Sequence, residues 1–587
     1  PVAAQDGAPK PPAAAEPVMQ APPPRPAVVM MAPPAPEPPA AIPEVWAPVP
    51  TDDEGRSAYG LYLSARLALS RGDQAAAADF LRATEALTPE QPIVREAAFM
   101  AAVFGGDLDF AVEMTPSGEG VSPALTQTGR LIEVVQDFVH GDPRAALAVY
   151  AQAPISQPNT RAADFLRPFI EAAAGNREAA LSLPNLMPND PALLLSRYHR
   201  AILLEHYGDP EAADREYAAL MTSRAGAPLF RLSYGAFLER RDRRAEAVAL
   251  YDAAFADHTA DARVREARER AAAGRRPPAP LTLRQGAAVA LKDAAILASI
   301  EGGHEFAAIY LRLALSLHAD DDTRLRLGQS LAEAGMEGPA RDALASVTPA
   351  SDHYYSAART EIALSLQREN RDEEALAELQ RAHAATPDDT QTAYLLASQL
   401  VELKQHEAAL AILNSPVLNT ATQGFAVRFL RGAAYESLGD IPRAEAELWA
   451  AHQLKPDDAT VLNYLGYLWV DKGLRVEQGA AMIARAFAAD PENGNIQDSL
   501  GWSQYRQGQY DEAVASLEAA VTKEPANPEV NNHLGDAYWQ VGRRREAAFQ
   551  WSRVLTLNPD AEQRADAERK LAEGLTPAAP AADGAER

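Results

Sequence analysis

The sequence predicts an all-α fold, a solenoid of about fourteen stacked helix pairs that follows a disordered N-terminal segment. Near the C-terminus one pattern is repeated after 34 residues, so that Gly501 aligns with Gly535 and Pro525 with Pro559. A turn residue followed by alanine five positions later recurs every 33 to 35 residues through most of the chain. Helical repeats with such a period pack on their neighbours, so even a chain of 587 residues needs no single large core.

Residues 1–50 differ from the rest of the chain in composition. They contain 17 prolines and many alanines, without any hydrophobic period. Proline lacks a backbone N–H donor and keeps the chain extended, so this segment is predicted to be a disordered, semi-rigid spacer. The functional alternative is a tether that holds the array away from a membrane or reaches across a cell wall.

The first array of helix pairs is predicted over residues 51–273. The polar run at residues 51–54 stands before an apolar-periodic stretch and predicts the start of the first helix. Six degenerate pairs follow, each with a turn between its two helices. These turns are predicted at Gly72, Gly106, Gly141, Gly175, Gly208 and Asp242.

The repeat register breaks after Phe255, where a charged helix ending at Gly274 leads into a proline-rich stretch. We interpret residues 274–285 as a linker, a seam between two arrays and a candidate hinge. The second array is predicted over residues 286–573, and residues 574–587 as a disordered tail. Its eight turns are predicted at Gly302, Gly335, Asn370, Lys404, Gly439, Gly473, Gly508 and Gly542.

Composition and charge exclude several functional classes. The formal net charge is −26 and the sequence pI about 4.9, so nucleic acid and anionic membrane surfaces are repelled and neither is a predicted partner. The absence of cysteine removes disulfides, thiolate metal sites and cysteine nucleophiles. The sequence contains no run of roughly 18 apolar residues, the length that a membrane-spanning helix requires.

The sequence contains no pattern typical of an enzyme, and we predict no catalytic residue, cofactor or metal. A glycine-rich phosphate loop and a G-x-S-x-G elbow are both missing. His199 and His206 lie two helical turns apart and in principle share a helix face, but a metal site needs a third nearby ligand. A structural role for these two histidines is therefore the favoured interpretation.

The aromatic residues point to a binding surface in the last quarter of the chain. In each repeat, a stripe of the first helix spaced by three and four residues is predicted to face an inner groove. Three successive stripes form a ladder of amide, carboxylate and amide groups beside large rings. An asparagine both donates and accepts, so the ladder suits an extended peptide backbone, while the rings suit apolar side chains. The predicted partner-binding residues are Asn463, Tyr467, Asp498, Trp502, Tyr505, Asn532, Asp536 and Trp539.

A structural alternative is that these side chains are polar helix surface or pack against neighbouring repeats. Other aromatic residues are predicted to be core. Trp551 stands at the packing position of the second helix, and Trp469 and Tyr538 stand where an aromatic ring seals a helix pair.

The motifs LGWSQYRQGQYDEA and LGDAYWQVGRRREAA resemble the tetratricopeptide repeat (TPR) family. The resemblance implies a TPR-like superhelix whose groove binds partner proteins or extended peptides. Asn463 and Asn532 stand where peptide-gripping asparagines occur in that family. The family's lysine and arginine clamp for a free carboxylate is not apparent, so the resemblance does not extend to recognition of a C-terminus.

Residues 462–554 are similar to a C-terminal block of proteobacterial TPR proteins of the cell envelope, some of them outer-membrane lipoproteins. One such relative is an adaptor that brings substrates to a carboxyl-terminal-processing protease. The resemblance implies a non-enzymatic scaffold of the periplasm, with such a protease and its substrates as partners and a lipid anchor on a cysteine upstream of Pro1. The alternatives are an architectural part of an exopolysaccharide or pilus secretion complex, and a cytoplasmic assembly factor.

Overall fold

The computed structural model confirms an α-solenoid of helix pairs. It describes residues 50–575 except 90, 119, 188–189, 224–225, 258, 260 and 421–423, so the disorder predicted for residues 1–49 and 576–587 lies outside the described residues. The chain divides after Pro50, and all thirty helices of the described residues belong to the second unit. The six pairs of the first array are α1 (Ala58–Ser70) with α2 (Gln74–Leu87), α3 (Pro92–Gly105) with α4 (Leu108–Glu113), α5 (Pro123–His140) with α6 (Pro143–Gln152), α7 (Thr160–Ala173) with α8 (Arg177–Leu181), α9 (Pro191–His206) with α10 (Pro210–Met221), and α11 (Gly226–Arg240) with α12 (Arg244–Ala256).

One additional helix, α13 (Ala262–Ala272), follows the sixth pair, as the charged segment before Gly274 predicts. Eight further pairs form the second array, and a last single helix, α30 (Ala561–Glu573), ends it. The pairs are α14 (Leu283–Ile300) with α15 (His304–Leu317), α16 (Asp321–Glu333) with α17 (Glu337–Ala345), α18 (Asp352–Arg368) with α19 (Asp372–Ala385), α20 (Thr390–Glu402) with α21 (His406–Leu413), α22 (Phe425–Ser437) with α23 (Ile441–Leu454), α24 (Ala459–Asp471) with α25 (Val476–Ala489), α26 (Gly494–Arg506) with α27 (Tyr510–Lys523), and α28 (Pro528–Gln540) with α29 (Arg544–Val554).

All fourteen predicted turn residues adopt the left-handed backbone conformation. Eleven are glycines with φ between 65° and 89°, and Asp242, Asn370 and Lys404 have φ of 57° to 60°. A left-handed residue ends the first helix and reverses the chain, and glycine adopts it without a side-chain clash. Wherever an alanine stands five residues after the turn residue, that alanine is buried, from Ala77 in the first pair to Ala547 in the last. The sequence period therefore reports the true register of the repeats.

Close approach between the two helices of a pair explains the remaining small residues. A Cβ atom on Gly501 would lie 2.6 Å from Leu517 Cγ, and one on Gly479 would lie 2.6 Å from the Gly466 carbonyl oxygen. Both distances are shorter than van der Waals contact, so a larger residue would push the helices apart. The glycines aligned in the sequence are thus the contact points of the pairs.

The predicted start of the first helix is wrong. Residues 51–54 are not helical, and Thr51 instead forms an isolated bridge with Ser57. The Asp52 carboxylate accepts from the backbone N–H of Arg56 and also pairs with its guanidinium, which stabilises this non-helical turn. Ser57 is the true N-cap, and its hydroxyl accepts a hydrogen bond from Gly60 N–H.

The first array is bent around α14 and α15, the first pair of the second array. Helix α14 packs on α7 and α9, and α15 packs on α3 and α5. These four partners are all first helices of their pairs, and in a helix-pair solenoid the first helices line the inner, concave face. Two hydrogen bonds fix the docking, from the Tyr310 hydroxyl to Asn159 Oδ1 at 3.0 Å and between His199 Nε2 and Asp293 Oδ2 at 2.9 Å.

The contacts between the two arrays extend beyond this pair. The Arg312 guanidinium donates to the Phe104 carbonyl at 2.7 Å, and a Cβ atom on Gly72 would lie 2.8 Å from Gly338 Cα. One apolar cluster runs from Ala65 to Ala343 across the predicted linker. Packing therefore does not mark a boundary at residues 274–285, and the division there, like the hinge, stays a prediction.

From α18 onward the packing is that of an open array. Each helix contacts the next, and several first helices contact the first helix of the neighbouring pair, as α24 contacts α26 and α26 contacts α28. Among the described residues from α18 onward, no second helix pair packs against the first helices in the way that α14 and α15 pack against those of the first array. Of the helices described, none combines the length and the apolar content needed to cross a bilayer.

We predict that Gly286→Val loosens the docking of α14. A Cβ atom there would lie 2.3 Å from the Phe169 ring, so overpacking should lower the free energy of unfolding by about 1–3 kcal/mol. Hydrogen exchange should show faster exchange in α7 and α14 while α24 to α29 stay unchanged. Gly424→Val, at a glycine with no neighbour within 4 Å and an extended φ of −74°, is the control. Equal protection in both variants would contradict this docking.

Candidate functional site

The predicted inner stripe belongs to the first helices of three successive pairs, α24, α26 and α28. A capping residue precedes each of these helices. The side chains of Asp458, Asn493 and Asn527 accept hydrogen bonds from backbone N–H groups of the first turn. These caps fix where each helix starts and therefore which of its residues face the inner side. The stripes are Asn463 and Tyr467 on α24, then Asp498, Trp502 and Tyr505 on α26, then Asn532, Asp536 and Trp539 on α28.

Three of the predicted rings meet in one aromatic cluster with His533. The Trp502 ring stacks on Tyr505 at 4.8 Å and on His533 at 4.1 Å between ring centroids. The Tyr467 hydroxyl donates a hydrogen bond of 2.9 Å to Glu529 Oε1, which lies on α28, two pairs further along the chain. First helices two pairs apart approach each other on the inside of a bend. The cluster therefore lies on the inner face of the second array.

The carboxylate of the middle stripe is not free. Asp498 is only 5% exposed, and its two oxygens contact His533 Nδ1 at 2.9 and 3.1 Å. Burial by itself lowers the pKa of His533, but the adjacent Asp498 carboxylate outweighs burial and raises that pKa to about 9. The imidazole is therefore protonated at neutral pH, and the two groups form a buried ion pair.

Five buried polar atoms on α24, α26 and α28 have no hydrogen-bond partner among the described residues: the side-chain oxygens of Asn463, Gln497, Gln504 and Asn531 and the indole nitrogen of Trp502. Only two of them, the side-chain oxygen of Asn463 and the indole nitrogen of Trp502, belong to the predicted stripe. The amide oxygen accepts a hydrogen bond and the indole N–H donates one. Leaving each unpaired costs about 1–3 kcal/mol. Together they offer one acceptor and one donor, the two groups that a peptide backbone requires.

The third stripe is covered by the last helix of the same chain. Lys570 on α30 is buried, and its Nζ lies 2.8 Å from Asp536 Oδ2 and 3.0 Å from Asn532 Oδ1. The Trp551 indole donates to the other Asp536 oxygen at 2.9 Å. Burial raises the pKa of Asp536, and the Lys570 charge opposes that rise. Asn532 and Asp536 are thus bound to their own C-terminal helix.

Trp539 is enclosed in the same way. A Cβ atom on Gly574 would lie 2.1 Å from its ring, and the Arg544 guanidinium lies 3.8 Å above the ring centroid. The Trp539 ring also packs on the Trp551 ring, with 5.3 Å between ring centroids. In the structure the third stripe is therefore an internal contact between α28, α29 and the end of the chain.

Comparison with known proteins agrees with the repeat pattern. A family model described as TPR repeat matches residues 502–542, which include Trp502, Tyr505 and Trp539. Residues 502–542 are therefore similar to a tetratricopeptide repeat.

The curated relative covers only part of this chain, and this chain covers about a third of that relative. It is 29% identical over 203 residues to the TPR repeat-containing protein PA4667 of Pseudomonas aeruginosa, a match that covers 34% of each protein. It is 14% identical to a chain of the APC/C hetero-tetramer Cut9-Hcn1, covering 88% of this chain and 96% of that one with a TM-score of 0.35. It is 17% identical to YrrB, described as a TPR protein with an unusual peptide-binding site, covering 32% and 97% with a TM-score of 0.25.

The helix pairs bring together only part of the predicted site. Asn463, Tyr467, Trp502 and Tyr505 are half-buried on the inner face of α24 and α26. Asp498, Asn532, Asp536 and Trp539 are engaged by other residues of the chain. Binding of a partner by any of the eight stays a prediction, and the first four are the residues with surface to offer.

Sequence reasoning missed two residues that shape the groove. His533 directly follows the predicted Asn532, and a histidine at that position is one turn from Glu529 and faces the preceding first helix. That spacing could have indicated its contact with Asp498. Lys570 left no comparable signal, because it lies in a charged helix after the last repeat, where the 34-residue period no longer assigns positions.

The two histidines considered for a metal site are engaged separately. His199 is buried and contacts Asp293 through Nε2, while the His206 ring packs edge-on against Tyr207 at 5.4 Å. Among the described residues, no group of three or more His, Asp or Glu side chains is placed to hold a metal ion.

We predict that the His533 ion pair makes stability depend on pH. The folded pKa is raised from 6.5 to about 9, so the stabilisation is complete below pH 6.5 and is lost as the pH rises through 9. The free energy of unfolding should fall by up to about 3 kcal/mol over that window. Urea titrations followed by tryptophan fluorescence measure it. The double variant Asp498→Asn with His533→Gln should lack this fall, and an unchanged pH slope would refute the ion pair.

Proposed function

We propose that the protein is a non-enzymatic scaffold and that the inner face of α24 and α26 binds an extended segment of a partner protein. TPR repeats generally mediate protein–protein interactions. The observation that carries the proposal is the pair of unpartnered polar atoms, Asn463 Oδ1 and Trp502 Nε1, on neighbouring first helices. A partner backbone would satisfy both at once, with its N–H groups donating to the amide oxygen and its carbonyls accepting from the indole.

The aromatic cluster gives this backbone contact an apolar surface. Tyr505 stacks on the Trp502 ring, and Tyr467 lies beside His533. Both tyrosines are only half-buried, so their exposed edges are available to side chains of the bound segment. Stacked rings lose little conformational entropy on binding because they are already held in place. The His533 ring stacks on the Trp502 ring and holds it in place. Asp498 balances the charge of His533. The surface is therefore preformed, with sequence preference set by apolar side chains.

The location of the site follows from the packing of the two arrays. In the first array the inner face is occupied by α14 and α15, which bury their own apolar residues against α3, α5, α7 and α9. At the end of the second array α30 covers the inner stripe of α28. The first helices from α18 to α26 lie between these two covered regions, and among the described residues no helix pair packs along them as α14 and α15 pack along the first array. Two of them, α24 and α26, also carry the unpaired atoms.

We further propose that the scaffold works in the bacterial envelope. The support is the similarity of residues 462–554 to envelope TPR proteins, and the relationship to a protein of Pseudomonas aeruginosa agrees with a proteobacterial origin. A scaffold with a second binding surface would raise the effective concentration of two partners, such as a carboxyl-terminal-processing protease and its substrate. Assembly of an exopolysaccharide or pilus secretion complex is the alternative role.

The envelope proposal is tested by fractionation of cells that express the complete precursor. We expect the protein in the periplasmic or outer-membrane fraction, with a lower mass after processing. Metabolic labelling with palmitate separates a lipid-anchored form from a free one. Recovery of the protein in the cytoplasmic fraction, unprocessed, would overturn the envelope role while leaving the peptide groove untouched.

Replacing the indole tests the groove itself. We predict that Trp502→Phe weakens peptide binding about 5- to 20-fold, because the ring still stacks on His533 but the N–H donor is lost. Asn463→Leu should have a similar effect. Peptides are first selected from a random phage library on the wild-type protein, and their dissociation constants are then measured by fluorescence anisotropy.

The matched control is Trp449→Phe, the same exchange on the second helix α23, where the indole is 40% exposed and packs on His452. It should bind the selected peptides like the wild type. Equal affinity of the Trp502→Phe, Asn463→Leu and control variants would remove the support for the groove. Circular dichroism must show unchanged helix content in all three variants.

A further inference from the structure

A cavity in the first array has no counterpart in the regular repeat and plays no part in the groove described above. It lies between α7, α8 and α9 and has a volume of about 570 Å³. Small-ligand pockets typically have volumes of about 300–1,000 Å³. The cavity is therefore large enough to enclose a small molecule or a long side chain.

The cavity exists because the second helix of this pair is cut short. Helix α8 has only five residues, whereas the second helices of the adjacent pairs, α6 and α10, have ten and twelve. Pro184 follows three residues after Leu181, and a proline disfavours the helical conformation of the residue before it. The chain continues without helix through Leu183 and Leu186, which line the cavity where a longer helix would otherwise pack.

The walls of the cavity combine an apolar surface with charged groups. Phe165 and Pro168 of α7 face Leu183 and Leu186 of the extended segment. This surface suits an aliphatic stem. The charged groups that line the same space come from α7 and α9, and their pairing decides which ligand charge the cavity accepts.

The arginines that line the cavity already have carboxylate partners. Arg161 contacts Glu301 at 2.6 Å, Arg167 contacts Glu171 at 3.1 Å, and Arg200 contacts Glu216. An anionic ligand would have to compete with these carboxylates. The lining therefore does not favour an anion, although it contains three cationic side chains.

One carboxylate that lines the cavity, in contrast, is free. Asp164 lines the cavity at its exposed side and makes no hydrogen bond or ion pair with any other described residue. His199 at the inner wall is 2% exposed and is held by Asp293, whose carboxylate accepts from Nε2.

We propose that this cavity binds an alkylammonium or guanidinium group on an apolar stem. The stem lies against Phe165, Leu183 and Leu186, and the cationic head pairs with Asp164. Lysine and arginine side chains of a partner protein carry this chemistry, and so do free polyamines. The net charge of −26 on the chain attracts such cations at longer range.

A matched series of six-carbon compounds tests the charge preference. Hexylammonium, hexanol and hexanoate have nearly the same stem and differ in the charge of the head. Ligand-observed NMR titration of the full chain should give saturable binding of hexylammonium at least fivefold tighter than that of hexanoate. Spermidine and the peptide acetyl-Gly-Leu-Lys-Leu-Gly-amide, titrated in the same way, distinguish a polyamine from a protein side chain as the natural source.

Two variants separate the cavity from binding elsewhere on the acidic surface. Asp164→Asn should reduce the preference for hexylammonium over hexanoate to less than twofold, and Ala179→Trp should fill the cavity and abolish saturable binding. Asp79→Asn removes an exposed carboxylate on α2 and should behave like the wild type. Tighter binding of hexanoate, no saturable binding of any amine, or hexylammonium binding that both cavity variants retain would overturn the proposal.

Discussion

The close contact between the two helices of each pair is the constraint on which the rest of the structure depends. A left-handed turn reverses the chain, and small residues such as Gly501 and Ala513 then let the helices touch. Because the same geometry recurs every 33 to 35 residues, the first helices are presented side by side on one face. The proposed binding groove depends on which part of that face stays uncovered.

The chain covers its own inner face at two places, and both coverings use buried polar contacts. In the first array Tyr310 and Asp293 bring hydrogen-bonding groups from α14 and α15 to Asn159 and His199. At the C-terminus Lys570 does the same for α28. A buried ion or amide is tolerated only with a partner, so these contacts specify one docked position instead of a sliding apolar interface. The inner face between them is the part of the solenoid for which we propose a partner.

The sequence predicts the local features of this fold because they are periodic. Turn residues such as Asn370 and Lys404 were assigned from spacing alone, although neither is glycine, and both have left-handed φ. The docking of α14 into the first array was not predictable, because contacts between residues such as Phe169 and Gly286 join positions with no periodic relation. For the same reasons, the sequence predicts one part of the site and not the other. The stripe follows from helix geometry, whereas the His533 and Lys570 contacts depend on how neighbouring helices meet.

The unpaired atoms of Asn463 and Trp502 persist because their helices cannot move to satisfy them. Rotating α24 would disrupt the contact of Gly466 with Gly479, and rotating α26 would disrupt that of Gly501 with Leu517. Both contacts are too close to accommodate a shift without strain. The rigidity that the repeat needs for folding thus holds a donor and an acceptor in place without partners. A bound backbone would recover the hydrogen-bond energy that folding left unused, once the side chains that bury these two atoms make room for it.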